Sequence, residues 1–184
     1  MKSLRISILV ASFVLLLYSL STVVFHKERL MAIGKPYKFK VKPIDPADPF
    51  RGRYIALNFD ANRYKMEASN NFMFGKIIYV TLEEDSAGFA KITNVSMHEP
   101  LKGDYVKARV DYVSYDEHEL FISYPFRNFY MEESKAPNAE KALSGTRDSL
   151  RSVYAKVYVK DGESALDNVY VNGEPLVNFL SRQQ

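Results

Sequence analysis

No cysteine occurs in this 184-residue chain. Disulfides, thiolate metal sites, cysteine nucleophiles and a lipidated N-terminal cysteine are excluded together, while the compartment stays open. Histidine is scarce, with His26, His98 and His118 alone. Of these, His118 stands in the most acidic setting, "DEHE", with Asp116, Glu117 and Glu119. Neighbouring residues of a strand point to opposite faces, so a metal site there would need a loop. No second cluster has metal-ligand spacing, so solvated surface is the reading, and no metal or cofactor is expected. A charge excess is lacking too. The net charge is +3, and without Lys2 and Arg5 there are 23 basic residues against 22 acidic ones. Nucleic-acid binders carry a stronger basic bias, so no nucleic-acid partner is expected. Serine is absent between Phe25 and Ala68. That removes the nucleophile a membrane-anchored serine–lysine peptidase needs soon after its span.

What the chain does have near its start is a long apolar run. Residues 6–25, "ISILVASFVLLLYSLSTVVF", carry no charge and are bracketed by Lys2 and Arg5 before and by Lys27 and Arg29 after. About 20 apolar residues cross a bilayer core as a helix, so the run predicts a single transmembrane signal anchor. A cleaved signal peptide is the competing reading, with Ser19-Leu20-Ser21 at a cleavage spacing. Cleavage there would leave Val23, Val24 and Phe25 on a new terminus, which favours the uncleaved anchor. Residues 1–5 are then a short cytoplasmic tail. Residues 26–35 form a helical stalk through Leu30, Met31 and Ile33, stopped by Gly34 and Pro36. Residues 36–184 are the extracytoplasmic domain, periplasmic if the membrane is a bacterial inner membrane.

That domain reads as mainly β, sandwich-like or barrel-like. "PYKFKVKP" alternates Tyr37, Phe39 and Val41 with three lysines, a half-buried strand with a lysine face. "RYIALNF" puts Ile55, Leu57 and Phe59 on one face. "KIIYVTLEE" and "FAKITNVSM" form a hairpin across Asp85–Gly88, and "DYVKARVDYVS" and "ELFISYP" continue the pattern. "VYAKVYVK" and "ALDNVYVNG" close on Asp161-Gly162, a strong hairpin signal, within a C-terminal hairpin over 151–172. "APNAEKALSG" predicts a short helix, with Pro137 in its first turn and Gly145 past its end. Residues 61–74 suit a helix or a long loop equally.

One turn is written twice. "KVKPIDPADPFRGRYIALNFDANRY" (40–64) lies over "KITNVSMHEPLKGDYVKARVDYVSY" (91–115) without gaps. Lys40, Pro49, Gly52, Tyr54, Asp60 and Tyr64 recur as Lys91, Pro100, Gly103, Tyr105, Asp111 and Tyr115. Two related β-units, 36–90 and 91–145, are one reading. A common Pro-x-cation-Gly turn used twice is the other. In either case Pro49 and Pro100 fix φ, and Gly52 and Gly103 permit a positive φ. Tyr54 and Tyr105 should then enter their strands opposite the apolar stripe, near a shared surface flanked by Arg51 and Lys102.

At these residues the chain resembles the GDYXXLXY family of membrane-anchored bacterial proteins. In "DPADPFRGRYIALNF", Gly52, Tyr54 and Leu57 fit the signature. Arg53 stands for its aspartate and Phe59 for its last tyrosine. The second stretch keeps Gly103-Asp104-Tyr105 and has Ala108 in place of the leucine. "YPFRNFYMEESKAPNAEKA" is similar to the family's second segment. The resemblance covers the span and most of residues 36–172. It implies a topology and a multi-spanning membrane protein as partner, and no defined reaction.

The densest polar set is "RNFYMEESKAPNAEK". Glu132, Glu133 and Glu140, with Arg127 and Tyr130, offer a carboxylate pair for acid–base hydrolysis of envelope glycan or peptide. Ion pairs and helix-end charges are the commoner explanation of such residues. Tyrosines on outer strand faces (Tyr105, Tyr112, Tyr115, Tyr154 and Tyr158) suit either a recognition surface or plain β propensity. With no complete catalytic set, the sequence points to a non-enzymatic binding or assembly module accessory to a multi-spanning membrane protein. The hydrolase is the alternative.

Overall fold

The computed structural model describes residues 2–42, 54–66, 72–132, 135, 138–139, 143 and 152–182. A helix, α1 (Lys2–Ile33), is followed by a mainly β domain. The stretch Val10–Ile33 is long and apolar enough to cross a membrane, with a mean hydropathy of 1.5. The helix stops where the sequence predicts: Gly34 N–H donates to Leu30 O at 2.8 Å, and β1 (Lys35–Lys42) starts at once.

The strands form two five-stranded sheets that nearly close into a barrel. Short strands β2 (Tyr54–Ala56), β3 (Asn58–Phe59) and β4 (Arg63–Lys65) are followed by β5 (Ile77–Glu84) and β6 (Ala90–Ser96). Then come β7 (Asp104–Ser114), β8 (Glu119–Ser123) and β9 (Asn128–Tyr130). The chain ends with β10 (Val153–Lys160), β11 (Glu163–Val171), β12 (Glu174–Pro175) and a helix α2 (Leu176–Ser181). One sheet runs β12-β11-β10-β1-β3 and the other β4-β8-β7-β5-β6, while β2 and β9 pair separately. Every one of these ladders is antiparallel.

The period-two reading of β1 holds residue by residue. Tyr37, Phe39 and Val41 are buried, Lys38 and Lys40 are exposed, and Lys42 is half-buried. The β5–β6 and β10–β11 hairpins also form where expected. Asp161 and Gly162 have φ of 50° and 82°, the two positive values that a type I′ turn requires. "RYIALNF" is split between β2 and β3, with Ile55, Leu57 and Phe59 all buried. The equivocal segment after it becomes a 3-10 turn at Asp60–Asn62 and then β4. Most of the helix expected over 136–145 lies outside the described residues, although 138, 139 and 143 are helical.

The core joins both sheets around an aromatic cluster. Phe39, which is fully buried, meets Phe126 at 4.8 Å, Tyr124 at 5.4 Å and Phe59 at 5.5 Å between ring centroids, each edge to face. Edge-to-face contact sets the positive ring edge against the negative face, adding about 1 kcal/mol per pair to the burial. The buried Tyr124 hydroxyl donates to Ala61 O at 2.6 Å, and burial pushes its pKa up.

The echoed stretches are paired differently. In the first, Val41 of β1 lies opposite Phe59 of β3. In the second, β6 and β7 flank β5 and each bonds to it. Gly103 has φ 91°, as a turn glycine should. Its counterpart Gly52, with Pro49 and Arg51, lies outside the described residues.

Candidate functional site: a groove beside the helix exit

β8 bonds to β7 only from Arg109 to Ser114. The first half of β7 is left without that neighbour, because the chain turns at Tyr124–Arg127 and β9 pairs with β2 instead. The tip of the β10–β11 hairpin fills the vacancy: Lys107 N–H donates to Gly162 O at 2.8 Å, and Val106 and Gly162 form a parallel bridge. Only glycine suits that tip. A Cβ on Gly162 would lie 2.7 Å from Tyr105 Cε2 and 3.0 Å from Lys107 Cγ.

Parting β8 from β7 opens a groove of about 680 Å³ between β9, β11 and the last turns of α1. Its apolar lining includes Leu30, Phe126, Phe129, Ala165 and Leu166, and its charged lining His26, Lys27, Lys107, Glu163 and Asp167. Leu30 is buried where α1 touches β10 and β11, so the helix is seated on the barrel. His26 Nε2 lies 3.0 Å from Glu163 Oε2 and links helix to hairpin. Tyr130 stands on the groove with 69% of its surface exposed. Ser164 Oγ, also in the lining, is a buried oxygen with no hydrogen-bond partner among the described residues.

The residues singled out by sequence are dispersed over the domain and few of them meet this groove. Tyr130 lines it, and Tyr54 lies opposite Tyr130 in the β2–β9 ladder. Tyr105 corrects the expectation of an open tyrosine surface, being only 7% exposed. Its ring is 5.8 Å from that of Tyr79, its edge meets the Gly162 tip, and its hydroxyl donates to Glu99. That hydrogen bond, helped by burial, pushes the phenol up to about 12. The strand face that Tyr105 enters is covered by chain distant in sequence, which period-two alternation cannot reveal. Lys102 is exposed on the β6–β7 loop, after the half-buried Pro100.

Arg127 donates to Ser123 Oγ at 3.1 Å and lies 4.0 Å from Asp111. Glu132 pairs with Lys135 at 2.9 Å. Glu140 lies outside the described residues. His118, with φ 53°, sits in the β7–β8 turn, and His98 is exposed. Among the other tyrosines, Tyr154 and Tyr170 stack at 5.2 Å with Lys38 over Tyr154, while Tyr112 and Tyr115 are exposed.

Asp104, in the Gly-Asp-Tyr triplet, has a structural role. It accepts hydrogen bonds from Tyr37 Oη at 2.7 Å and Lys35 Nζ at 3.1 Å. Burial alone would raise its carboxyl pKa, but these two bonds outweigh it and hold the group below its ordinary value. Lys35 is raised in turn, first by Tyr37 and then by Asp104.

The groove residues that sequence reading missed, Phe126, Phe129, Ala165 and Leu166, are ordinary apolar residues whose proximity depends on topology. The only local signal was Pro125, which ends the β8 run.

A family model described as GDYXXLXY protein matches residues 16–169. No curated protein and no solved structure matches the chain.

Proposed function

The chain belongs to the GDYXXLXY family, and from that premise we propose that it is a single-span membrane protein acting as an assembly module. On this reading α1 is an uncleaved anchor in a bacterial inner membrane, its start is cytoplasmic and the barrel is periplasmic. The groove beside α1 accepts an apolar segment of a multi-spanning partner where that segment leaves the bilayer. The carrying observation is the groove's position: its wall is built partly from the end of the helix, through His26, Lys27 and Leu30. A partner helix running alongside α1 meets the groove as it emerges. An apolar floor supplies the driving force on burial, while an exposed aromatic and a charged rim set the register.

Affinity purification of the full chain from native membranes in mild detergent, followed by mass spectrometry, tests the reading. A multi-spanning protein in fixed stoichiometry is expected. It should be lost with Tyr130→Ala combined with Lys27→Glu, both exposed on the groove, while the melting temperature of the purified chain is maintained. Undiminished retention by that variant, or the absence of a stoichiometric partner, would overturn the assignment.

A further inference from the structure

Leu101, at the tip of the β6–β7 loop, is fully exposed at 101% of its reference surface, and Lys102 beside it is exposed as well. Met97, at the start of the same loop, has 48% of its surface exposed. A solitary exposed leucine is ordinary on a soluble surface. This one stands in a particular place, fixed by two independent links.

The first link runs through Asp104. Its carboxylate binds Lys35, two residues past the end of α1. Leu101 is three residues before Asp104, so at most about 11 Å of chain separates their Cα atoms. The second runs through Glu99, which accepts from the Tyr105 hydroxyl. The Tyr105 ring rests on the Gly162 tip, and the neighbouring Asp161 lines a cleft with His26, Arg29 and Ile33 of α1. Both links tie the loop to the end of the barrel from which the helix leaves.

We propose that Leu101 and Lys102 form a second membrane contact, the leucine entering the headgroup–acyl boundary beside α1 and the lysine binding lipid phosphate. The inference goes beyond partner docking and rests only on α1 spanning the bilayer. Interfacial segments pair an inserted apolar side chain with a cation that reaches the headgroups, and the lysine stem covers apolar surface while its ammonium stays wet. The positive φ of Gly103 turns the chain sharply back into β7, so the tip projects instead of packing. With the helix as one fixed point and this tip as another, the barrel loses its freedom to tilt about the exit of α1. The groove is thereby held at one height above the lipid.

Because the chain lacks cysteine, each introduced cysteine is unique. Full-length Leu101→Cys, Asp116→Cys and Val14→Cys, spin-labelled in nanodiscs containing anionic phospholipid, give collision accessibilities to oxygen and to a water-soluble nickel chelate. Asp116 lies in the β7–β8 turn and Val14 within α1. The expected result is an oxygen-to-nickel ratio at 101 several-fold above that at 116 and approaching that at 14. Equal ratios at 101 and 116, with a lipid-like value at 14, would overturn the loop contact and leave partner docking standing. A water-like value at 14 would overturn the span and the loop contact with it. Protection of 101 from both reagents would indicate protein cover, and would also overturn the proposal. Adding Lys102→Glu should lower the ratio at 101, and no change would overturn the role given to the lysine.

Discussion

The hydroxyl of Tyr37 donates to Asp104 at 2.7 Å, joining the strand that follows α1 to the strand that begins with the Gly-Asp-Tyr triplet. The two belong to different sheets, and Lys35 completes the junction from the same strand as the tyrosine. The triplet's aspartate therefore acts as a clamp at the end of the barrel nearest the helix.

Tyr37→Phe should cost about 1 kcal/mol at neutral pH, a charged hydrogen bond discounted for the partial exposure of Asp104. The folded carboxyl pKa is depressed, so its contribution is present above the unfolded value of about 4 and is lost as pH falls through the folded value. The gap between wild type and variant, measured by urea melts at stepped pH, should narrow in acid. A gap that stays constant to the acid limit would show that the bond is not linked to Asp104 ionisation.

Gly162→Ala and Gly173→Ala separate strain from crowding. Both glycines have a positive φ, 82° and 84°. A Cβ at 173 meets nothing within 4 Å, whereas at 162 it collides with Tyr105 and Lys107. Alanine at 173 should cost about 1 kcal/mol, and at 162 at least about 2 kcal/mol, read from thermal melts. Equal losses would mean that the hairpin tip does not close against β7.

Phe39→Ala should be the most damaging of these changes, at about 3–5 kcal/mol, because it removes the ring shared by three aromatic contacts. Phe89→Ala serves as a comparison, since among the described aromatics that ring meets Tyr154 alone, at 6.2 Å. A loss at Phe89 matching that at Phe39 would remove the cluster as the centre of stability.

The sequence showed much of this architecture and little of the candidate site, for a definite reason. β1, β7 and the β10–β11 hairpin were legible because alternation and the Asp161-Gly162 turn are local properties. β9 and α2 were not, being short and without a repeated period. The burial of Tyr105 escaped notice because the atoms that cover it belong to Glu99 and Gly162, one across a loop and the other in a different sheet. The groove was invisible for the same kind of reason. It exists where β8 fails to follow β7, and no side-chain pattern records a neighbour that is absent.

Tyr105 also predicts behaviour at high pH. Its folded pKa of about 12 exceeds the ordinary 10.0, first through Glu99 and then through burial. A raised value gives stability fully present below about pH 10 and lost as pH climbs through 12. In phenolate absorbance, the difference between wild type and Tyr105→Phe should titrate near 12. A difference titrating at the ordinary value would show that Glu99 does not hold the hydroxyl.

The pairing of β1 with β10 has a consequence for how the molecule is made. Lys35 lies opposite Val159, so the first strand after α1 finds this partner only after nearly all the rest of the domain has been synthesised. Until then Tyr37, Phe39 and Val41 face no finished core. Such long-range closure slows folding and leaves nascent apolar surface open to wrong contacts. The last hairpin is thus the latch of the barrel, and a ribosome stalled before residue 153 would leave α1 joined to an open shell.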